Sequence, residues 1–387
     1  MLESGSVPTP HAEAHKFSKG LEGVVAAETA LSLVDGERSR LLYRGISIHE
    51  LAVNSTYEET VFLLWNGRLP RSTELSTFQK DLAAKRTISK EIIQFLKSLP
   101  KSAHPMAVLR SAISLLGAYD PEERKIDPDS IRDKAFSLIA KFPTLIAAFK
   151  RIREGAESIE SDPQLSQAAD FLYRMHGKKP EMEMERAMDA YLILLADHGL
   201  NASTFSARVT ASTEADIYSA VTSAIGTLKG DLHGSANQRA MEMILDIGTP
   251  EKAEKYVKDL LAHKKKVMGF GHRIYKKEDP RATAFRGIAA KLCERSGEKK
   301  WMEISNIIEK TMWREKEIPC NVDFFSASVL YILGIPVDFF TTVFAASRVA
   351  GWTAHVMEQR LANKLIRPQA EYTGPLEELY IPMEKRK

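Results

Sequence analysis

The stretch V-V-A-A-E-T-A-L-S-L-V-D-G, residues 24–36, followed by L-L-Y at 41–43, is the only part of the chain with a strong strand signal. Residues of high β-propensity on both sides of Asp35-Gly36 predict a small hairpin closed by a tight turn. Because comparable strand signals hardly return later, we expect this hairpin to be the only sheet.

Helical periodicity takes over after Ile48. Thr56 and Glu59 have the spacing of a capping box, and Gly67 followed by Pro70 marks a helix end. The periodic stretches that follow are 73–86, 90–98, 105–118, 129–152, 164–175, 181–196, 214–229, 236–246, 251–265, 281–294, 300–315, 324–333 and 340–363. No fixed repeat period separates them, so an irregular all-α fold is predicted.

Composition narrows the class of protein. The 387 residues are 44% hydrophobic, enough for a large core, and 54 Lys and Arg nearly balance 51 Asp and Glu. A net charge of +3 gives no reason to expect binding to nucleic acid or to acidic membranes. Two cysteines, no apolar signal segment and a polar start at 1–20 predict a cytoplasmic protein with a flexible N-terminal arm.

Two histidines lie where helices meet turns. His198 follows an apolar helix and precedes Gly199, a position where an imidazole can also simply meet the helix dipole. His233 lies between Leu232 and Gly234, immediately before a new helix, where a neutral imidazole can donate a hydrogen bond. Either histidine alone could be structural. Two nearby helices, 187–196 and 202–212, are apolar or rich in small residues and are predicted to be buried in the core or in a subunit interface.

The stretch H-K-K-K-V-M-G-F-G-H-R-I-Y-K-K-E-D-P-R-A, residues 263–282, is the most specific element. It joins a basic helix end, a Gly-Phe-Gly loop able to approach a flat ligand, and His272. Asp279-Pro280 then begins a helix with Arg281 in its first turn, where a cation opposes the helix dipole unless an anion is bound.

Asp323 and two further arginines complete the candidate groups. Asp323 precedes Phe324 and an apolar helix; it could act as an N-cap, and a partly dry setting would raise its pKa above about 3.9. Arg348 lies in an apolar helix and Arg367 precedes Pro368. A buried arginine requires an anion, either a ligand or an internal Asp or Glu.

Taken in order, these elements resemble the citrate synthase family from about residue 20 to the C-terminus. The most specific are G-F-G-H-R-I-Y-K…D-P-R-A and N-V-D-F-F-S. The resemblance implies a two-domain helical fold, with a flexible arm at 1–20, a large domain at 21–234 and 335–387, and a small domain at 235–334 that closes over the cleft. It implies condensation of acetyl-CoA with oxaloacetate and water to give citrate and CoA, without a metal or a permanently bound cofactor.

The resemblance also implies a role for each residue that matches the family pattern. Asp323 would remove a methyl proton, His233 would bind the thioester oxygen and His272 would polarise the ketone. The residues implied for oxaloacetate are His198, Arg281, Arg348 and Arg367, the last contributed across a homodimer interface. The residues implied for CoA are Lys266, Val267, Met268, Gly269, Phe270, Gly271 and Lys276.

This chain departs from the family pattern at three positions. Asp231 and Ser235 flank the L-H-G segment where Pro and Gly are usual, and Gly199 replaces a common Glu. A carboxylate at Asp231 is expected to raise the pKa of His233 and to work against its neutral form.

The sequence leaves three other functions open. 2-Methylcitrate synthase would use propionyl-CoA on the same scaffold, and one methylene contributes only about 1–3 kcal/mol of discrimination. A metalloenzyme would use His198, His233 and His272 as ligands, although no H-x-x-x-H spacing supports it. A noncatalytic helical scaffold would leave the buried arginines and the Gly-Phe-Gly-His loop unexplained.

Overall fold

The computed structural model describes residues 18–386. Within them the fold is helical with one small antiparallel sheet, which confirms the predicted class. The helices are α1 (Ile48–Asn54), α2 (Tyr57–Asn66), α3 (Ser72–Ala84), α4 (Lys90–Ser98), α5 (Pro105–Ala118), α6 (Pro128–Arg153), α7 (Gln167–His176), α8 (Met182–Leu195), α9 (Ala202–Ser212), α10 (Ile217–Leu228), α11 (Ala236–Ile247), α12 (Pro250–Ala262), α13 (Pro280–Ser296), α14 (Lys299–Lys316), α15 (Val322–Ile332) and α16 (Phe340–Leu361).

The sheet forms where the hairpin is predicted. β1 (Ser32–Asp35) pairs with β2 (Arg40–Tyr43) in an antiparallel register that places Asp35 opposite Arg40. A third strand, β3 (Ile46–Ser47), pairs with the end of β2. β3 was not predicted because two residues are too few to show the alternation of apolar and polar side chains that indicates a strand.

The predicted helices are all present, with ends that differ by a few residues. α7 begins later than predicted because the Ser166 side chain accepts the Ala169 N–H, and α10 because Asp216 accepts the Ser219 N–H. At α2 the capping box is half formed. Thr56 accepts the Glu59 N–H, whereas the Glu59 carboxylate accepts the Ser55 hydroxyl at 2.6 Å.

The core is built around α8 and α16. Residues 187–195 of α8 are buried throughout, as are 340–356 of α16. The stretch 187–196 is therefore part of the chain's own core. α9 packs on α10 through small side chains, with the hydroxyl oxygens of Ser206 and Ser223 2.5 Å apart.

By its contacts the chain divides into two compact units. Thr29–Ile366 is the larger unit and contains all the named helices and strands. The described part of the other unit, 18–28 and 367–386, has only short 3-10 turns at Lys19–Leu21 and Met383–Lys385. Most of the predicted arm at 1–20 lies outside the described residues. The closing domain predicted at 235–334 stays a prediction. No helix within residues 18–386 has the length and apolar character needed to cross a membrane.

Candidate active site

The small sheet fixes the turn that follows α8. The Tyr43 hydroxyl of β2 donates to the Asp197 carbonyl oxygen at 2.9 Å. The Ser32 hydroxyl of β1 donates to the Asp197 carboxylate at 2.5 Å and accepts the Gly199 N–H at 2.9 Å. His198 lies between Asp197 and Gly199, so the backbone that carries its imidazole is fixed on both sides.

His198 is buried among other candidate groups. Its Nε2 is 3.2 Å from the Tyr275 hydroxyl, and its ring centroid is 5.4 Å from that of His272. Burial lowers the pKa of His198 well below its usual value, and the positive charges of Arg281 and Arg348 lower it further. A neutral imidazole close to two guanidinium groups is suited to contact an anionic ligand without repelling it.

The backbone sets the tautomer of His272. Its Nδ1 accepts the N–H groups of Ile274 and Tyr275, both at 3.1 Å. Burial, followed by the charge of Arg281, lowers the pKa of His272 to about 4. The imidazole is therefore neutral near pH 7, with its proton on Nε2 and available to donate.

His233 is held in the opposite tautomer. The Ser203 N–H, in the first turn of α9, donates to His233 Nε2 at 3.3 Å, and the Ser203 hydroxyl lies 2.8 Å from the same nitrogen. The Trp352 indole N–H donates to the Ser203 hydroxyl oxygen at 3.1 Å and helps to orient it. With Nε2 an acceptor, the proton lies on Nδ1. Burial and then the charge of Arg348 lower the pKa of His233 to about 4.

The expected effect of Asp231 on His233 was wrong. The Asp231 carboxylate forms an ion pair with Arg239 at 2.5 Å and accepts the Ser235 hydroxyl at 3.3 Å. The pKa of His233 is lowered, because burial and Arg348 govern it.

Asp323 lies in the first turn of α15 and does not cap the helix. The cap is Asn321, whose side chain accepts the Asp323 N–H at 3.1 Å. Within the described part of the chain, no protein group donates a hydrogen bond to the Asp323 carboxylate. Burial raises its pKa to about 7, and the charge of Asp279 adds to this, whereas Arg281 and Arg348 oppose it. A carboxylate with this pKa is a stronger base than an ordinary aspartate.

The Gly-Phe-Gly loop is joined to the segment that leads to Asp323. Gly271 N donates to Pro319 O and Asn321 N donates to Gly269 O, both at 2.9 Å. Gly269 has a φ of 82°, and a Cβ there would lie 2.8 Å from Phe324 Cβ, so only glycine fits. The loop and the start of α15 therefore hold each other in place.

The candidate arginines have different partners. Arg281 donates to Asp279 through Nε at 3.0 Å and Nη2 at 2.8 Å, so the anion at this helix start is an internal carboxylate. Arg348 is buried, donates from Nε to Leu195 O at 2.7 Å, and has no carboxylate within 4 Å among residues 18–386. Burial lowers the pKa of Arg348 to about 10, a fall that the charge of Asp197 opposes.

The remaining predicted contacts are more exposed. Arg367 is exposed and belongs to the smaller unit. Lys276 is exposed and donates to Arg273 O at 3.0 Å. Of the predicted CoA residues in 266–271, Lys266 is exposed, Val267 and Gly269 are buried, and Met268, Phe270 and Gly271 are half-buried.

The structure brings His198, His233, His272, Arg281, Arg348 and Asp323 together. Arg348 acts on the pKa of His198, His233 and Asp323, and Arg281 acts on His198, His272 and Asp323. These six residues are called the active-site cluster below. No group of three or more His, Cys, Asp or Glu side chains within residues 18–386 is arranged to hold a metal ion.

Sequence reasoning assigned no role to several residues that support the cluster. Ser203, Tyr275 and Asp279 each contact a member of it, and Asp197 accepts the N–H of Gly199, the residue after His198. Tyr275 and Asp279 lie within the quoted 263–282 stretch and could have been singled out. Ser203 approaches His233 only through tertiary packing, and nothing in the local sequence indicates this contact.

Comparison with known proteins identifies the family of the chain. Residues 20–369 match the family described as citrate synthase, C-terminal domain. Citrate synthase 2 of Bacillus subtilis is 47% identical over 95% of this chain and 99% of its own length. A 2-methylcitrate synthase of Shewanella oneidensis is 41% identical over 95% and 97%.

Solved structures lead to the same family. The ternary complex of carboxymethyl coenzyme A and oxaloacetate with citrate synthase from Thermoplasma acidophilum has a TM-score of 0.91 and 35% identity. It covers 96% of this chain and 100% of its own. With the family match over most of its length and relatives above 40% identity, this chain belongs to the citrate synthase family and is an acyltransferase of the citrate (Si)-synthase type.

Proposed function

We propose that the protein condenses acetyl-CoA with oxaloacetate and water to give citrate and CoA. The observation that carries this proposal is a set of three groups: Asp323, whose carboxylate accepts no hydrogen bond within residues 18–386 and whose pKa is raised, and the neutral His233 and His272 in opposite tautomers. A thioester methyl group is a very weak acid, so a base must act together with a donor that stabilises the enolate oxygen.

In the first step, the Asp323 carboxylate accepts a proton from the methyl carbon. The electron pair of that C–H bond moves toward the thioester oxygen, which receives a hydrogen bond from His233 Nδ1–H. Ser203 supports this step because its N–H occupies Nε2 and leaves the proton on Nδ1.

In the second step, the enolate carbon attacks the ketone carbon of oxaloacetate. As the new carbon–carbon bond forms, the ketone oxygen takes the proton of His272 Nε2–H. The proton that Asp323 accepted is released to solvent and His272 takes one up before the next turnover. Water then cleaves the thioester of the citryl-CoA product and releases CoA. Excluding bulk water before this stage requires a cleft that closes, and we assign that movement to residues 235–334.

Oxaloacetate would be bound through its carboxylates. Arg348 supports this proposal because it is a buried guanidinium with no carboxylate within 4 Å in the described part of the chain, and an unpaired buried charge is costly. Arg281 would keep Asp279 on its Nε and Nη2 and bind a substrate carboxylate through Nη1. His198 would donate a further hydrogen bond. Residues 266–271 and Lys276 would contact CoA.

We further propose a homodimer in which Arg367 reaches the partner's site. The C-terminal segment supports this because it exposes several large apolar side chains in the single chain. They are Tyr372, Leu376, Leu379, Tyr380, Ile381 and Met383. Apolar surface of this kind is buried when subunits associate. A cytoplasmic location is part of the same proposal.

The first test follows the appearance of free thiol on mixing acetyl-CoA and oxaloacetate. Asp323→Asn keeps the shape of the side chain but removes the base, and we expect turnover to fall by roughly 10²–10⁴-fold with an unchanged circular dichroism spectrum. Asp246→Asn, at an exposed position on α11, is the matched control and should retain wild-type turnover. Retention of most activity by the Asp323 variant would exclude the proposed base.

The same assay separates the two activities found among the relatives. Identity to the 2-methylcitrate synthases makes propionyl-CoA the competing substrate. We expect kcat/KM to be higher with acetyl-CoA. A ratio reversed in favour of propionyl-CoA would assign the protein as a 2-methylcitrate synthase.

A further inference from the structure

A cavity lies beside the turn that carries His233. It has a volume of about 760 Å³ and is bounded by the start of α5, the end of α10, α11 and Thr341 of α16. No member of the active-site cluster lines it. Residues 229–235 form a common wall, since Lys229, Gly230, Asp231 and Ser235 line this cavity. We call it the α5–α11 cavity.

The lining of the cavity contains cationic side chains that its carboxylates do not neutralise. Arg239 is paired with Asp231 at 2.5 Å. Arg110 and Lys229 are exposed to the cavity and have no ion-pair partner within residues 18–386. The Glu242 carboxylate accepts the Gln238 amide at 2.9 Å and neutralises neither.

Further donors face the same space. His104 Nδ1 accepts the Met106 N–H at 3.2 Å, so its Nε2 carries the proton of the neutral ring. Ser235, which also lines the cavity, makes no capping hydrogen bond to α11. Met106 is the only large apolar side chain of the lining. Guanidinium and ammonium groups with free donors match the multiple oxygens of a phosphate.

We propose that the α5–α11 cavity is a regulatory binding site for a phosphate-bearing anion. Pockets of about 300–1,000 Å³ accept molecules from a small phosphate ester to a nucleotide. Arg110 and Lys229 supply the primary contacts, and Arg239 is recruited when the anion displaces Asp231.

The bound anion acts on turnover through residues 229–235. Asp231 and Ser235 hold one face of this turn, and the Thr341 hydroxyl donates to Gly234 O at 3.2 Å. Within the turn, His233 N donates to Gly230 O at 2.9 Å. Displacing Asp231 from Arg239 therefore shifts the backbone that positions His233, and kcat falls. This effect rests on the proposed function, whereas binding does not.

The test uses inorganic pyrophosphate, with inorganic phosphate and ADP as further probes that distinguish a bare anion from a nucleotide. Titration calorimetry is done on the full chain with saturating CoA, so that the proposed CoA loop is occupied. We expect the double variant Arg110→Ala/Lys229→Ala to weaken pyrophosphate binding at least tenfold. Lys80→Ala, an exposed cation on α3, is the matched control and should bind as the wild type does.

A variant with the opposite effect guards against simple misfolding. Asp231→Asn frees Arg239, and pyrophosphate should bind several-fold more tightly. Equal binding by the wild type and the double variant, or no binding at millimolar pyrophosphate by folded protein, overturns the proposal.

Kinetics separates this site from the active site. We expect pyrophosphate to lower kcat while the KM for acetyl-CoA stays unchanged, and the double variant to be insensitive. Inhibition competitive with acetyl-CoA would place the anion on residues 266–271 and overturn the proposal. Variant-sensitive binding without thiol release from either acyl-CoA would support the cavity and reject the proposed function.

Discussion

Asp197 connects several parts of the candidate site through one carboxylate. It accepts hydrogen bonds from Ser32 and Gly199, and its Oδ1 lies 3.3 Å from His355 Nε2. Its negative charge opposes the fall in the pKa of buried Arg348. Asp197 thus holds the turn that carries His198 and compensates the charge of Arg348, although it is not expected to touch substrate.

Asp197→Asn tests this positioning role. The amide keeps the size of the side chain but leaves Arg348 with less compensation, so we expect the KM for oxaloacetate to rise at least tenfold while the KM for acetyl-CoA changes little. Because buried Arg348 keeps its charge with less compensation, chemical denaturation should also show a lower free energy of unfolding. Equal changes in both KM values would indicate general damage and contradict a specific role.

At this scale the sequence predicts residue types better than residue partners. His198, His233, His272 and Asp323 could be singled out from their local settings. His233 and His272 both influence the pKa of His198, and Arg281 and Arg348 influence the pKa of both His198 and Asp323. Arg281 is an example. The sequence left open whether it binds a substrate anion or an internal acid, and in the structure it binds Asp279, two residues away. The contact of Ser203 with His233 depends on how α9 packs and could not be predicted.

α16 sets the position of Arg348 by approaching the end of α8 closely. Gly351 N donates to Ala196 O at 3.0 Å. A Cβ on Gly351 would lie 2.4 Å from Asp197 Oδ1 and 2.5 Å from Ala196 O. The approach therefore requires glycine, even though glycine inside a helix costs about 0.5–1 kcal/mol relative to alanine.

Gly351→Ala is expected to force α16 away from Ala196. We expect the free energy of unfolding to fall by about 1–3 kcal/mol, as for other overpacked cores, and the KM for oxaloacetate to rise because Arg348 moves with the helix. Gly287→Ala is the matched control, since Gly287 lies within α13 and a Cβ there has no atom within 4 Å. That variant should be stabilised by about 0.5–1 kcal/mol. Similar effects of the two changes would contradict the close-approach argument.

Elements were predicted well because their signals are local. Helix periodicity, the Thr56 cap of α2 and the Asp35-Gly36 turn are all readable in short windows, whereas the caps Ser166 and Asp216 were missed. The start of α15 was misjudged because Asn321, and not Asp323, is its cap. Two neighbouring residues of similar capping ability cannot be distinguished until tertiary contacts select one.

The molecule as a whole carries buried groups whose titrations oppose each other. Burial, and then the charge of Glu58, raises the pKa of Asp189 to about 7. Asp189 therefore stabilises the fold fully below pH about 4, its unfolded pKa, and this contribution is lost as pH rises through 7. Burial lowers the pKa of His233 and His272 to about 4, so their contribution is present above pH about 6.5 and is lost as pH falls.

Asp189→Asn should reveal this opposition. In the native protein the Tyr57 N–H donates to Asp189 Oδ1 at 2.9 Å. The Asn side chain can still accept this hydrogen bond, but it cannot take up a proton. The slope of the free energy of unfolding against pH, measured by denaturant titration between pH 4.5 and 6.5, should become more positive by up to about 1.4 kcal/mol per pH unit. Asp81→Asn, at an exposed position on α3, should leave the slope unchanged. An unchanged slope in the Asp189 variant would show that this carboxyl does not titrate in that range.

The pairing of the Gly-Phe-Gly loop with residues 319–321 has a practical consequence for redesign. The backbones of Phe270 and Cys320 form an isolated antiparallel β-bridge, and Asn321 Nδ2 donates to Gly271 O at 3.0 Å. Cys320 and Asn321 lie three and two residues before Asp323. If residues 266–271 bind CoA as proposed, changing the loop to admit a bulkier acyl-CoA would also displace Asp323, the proposed base. Under the proposed function, acyl-CoA selectivity and turnover are therefore coupled in this fold. Substitutions selected to change one will require further substitutions that restore the other.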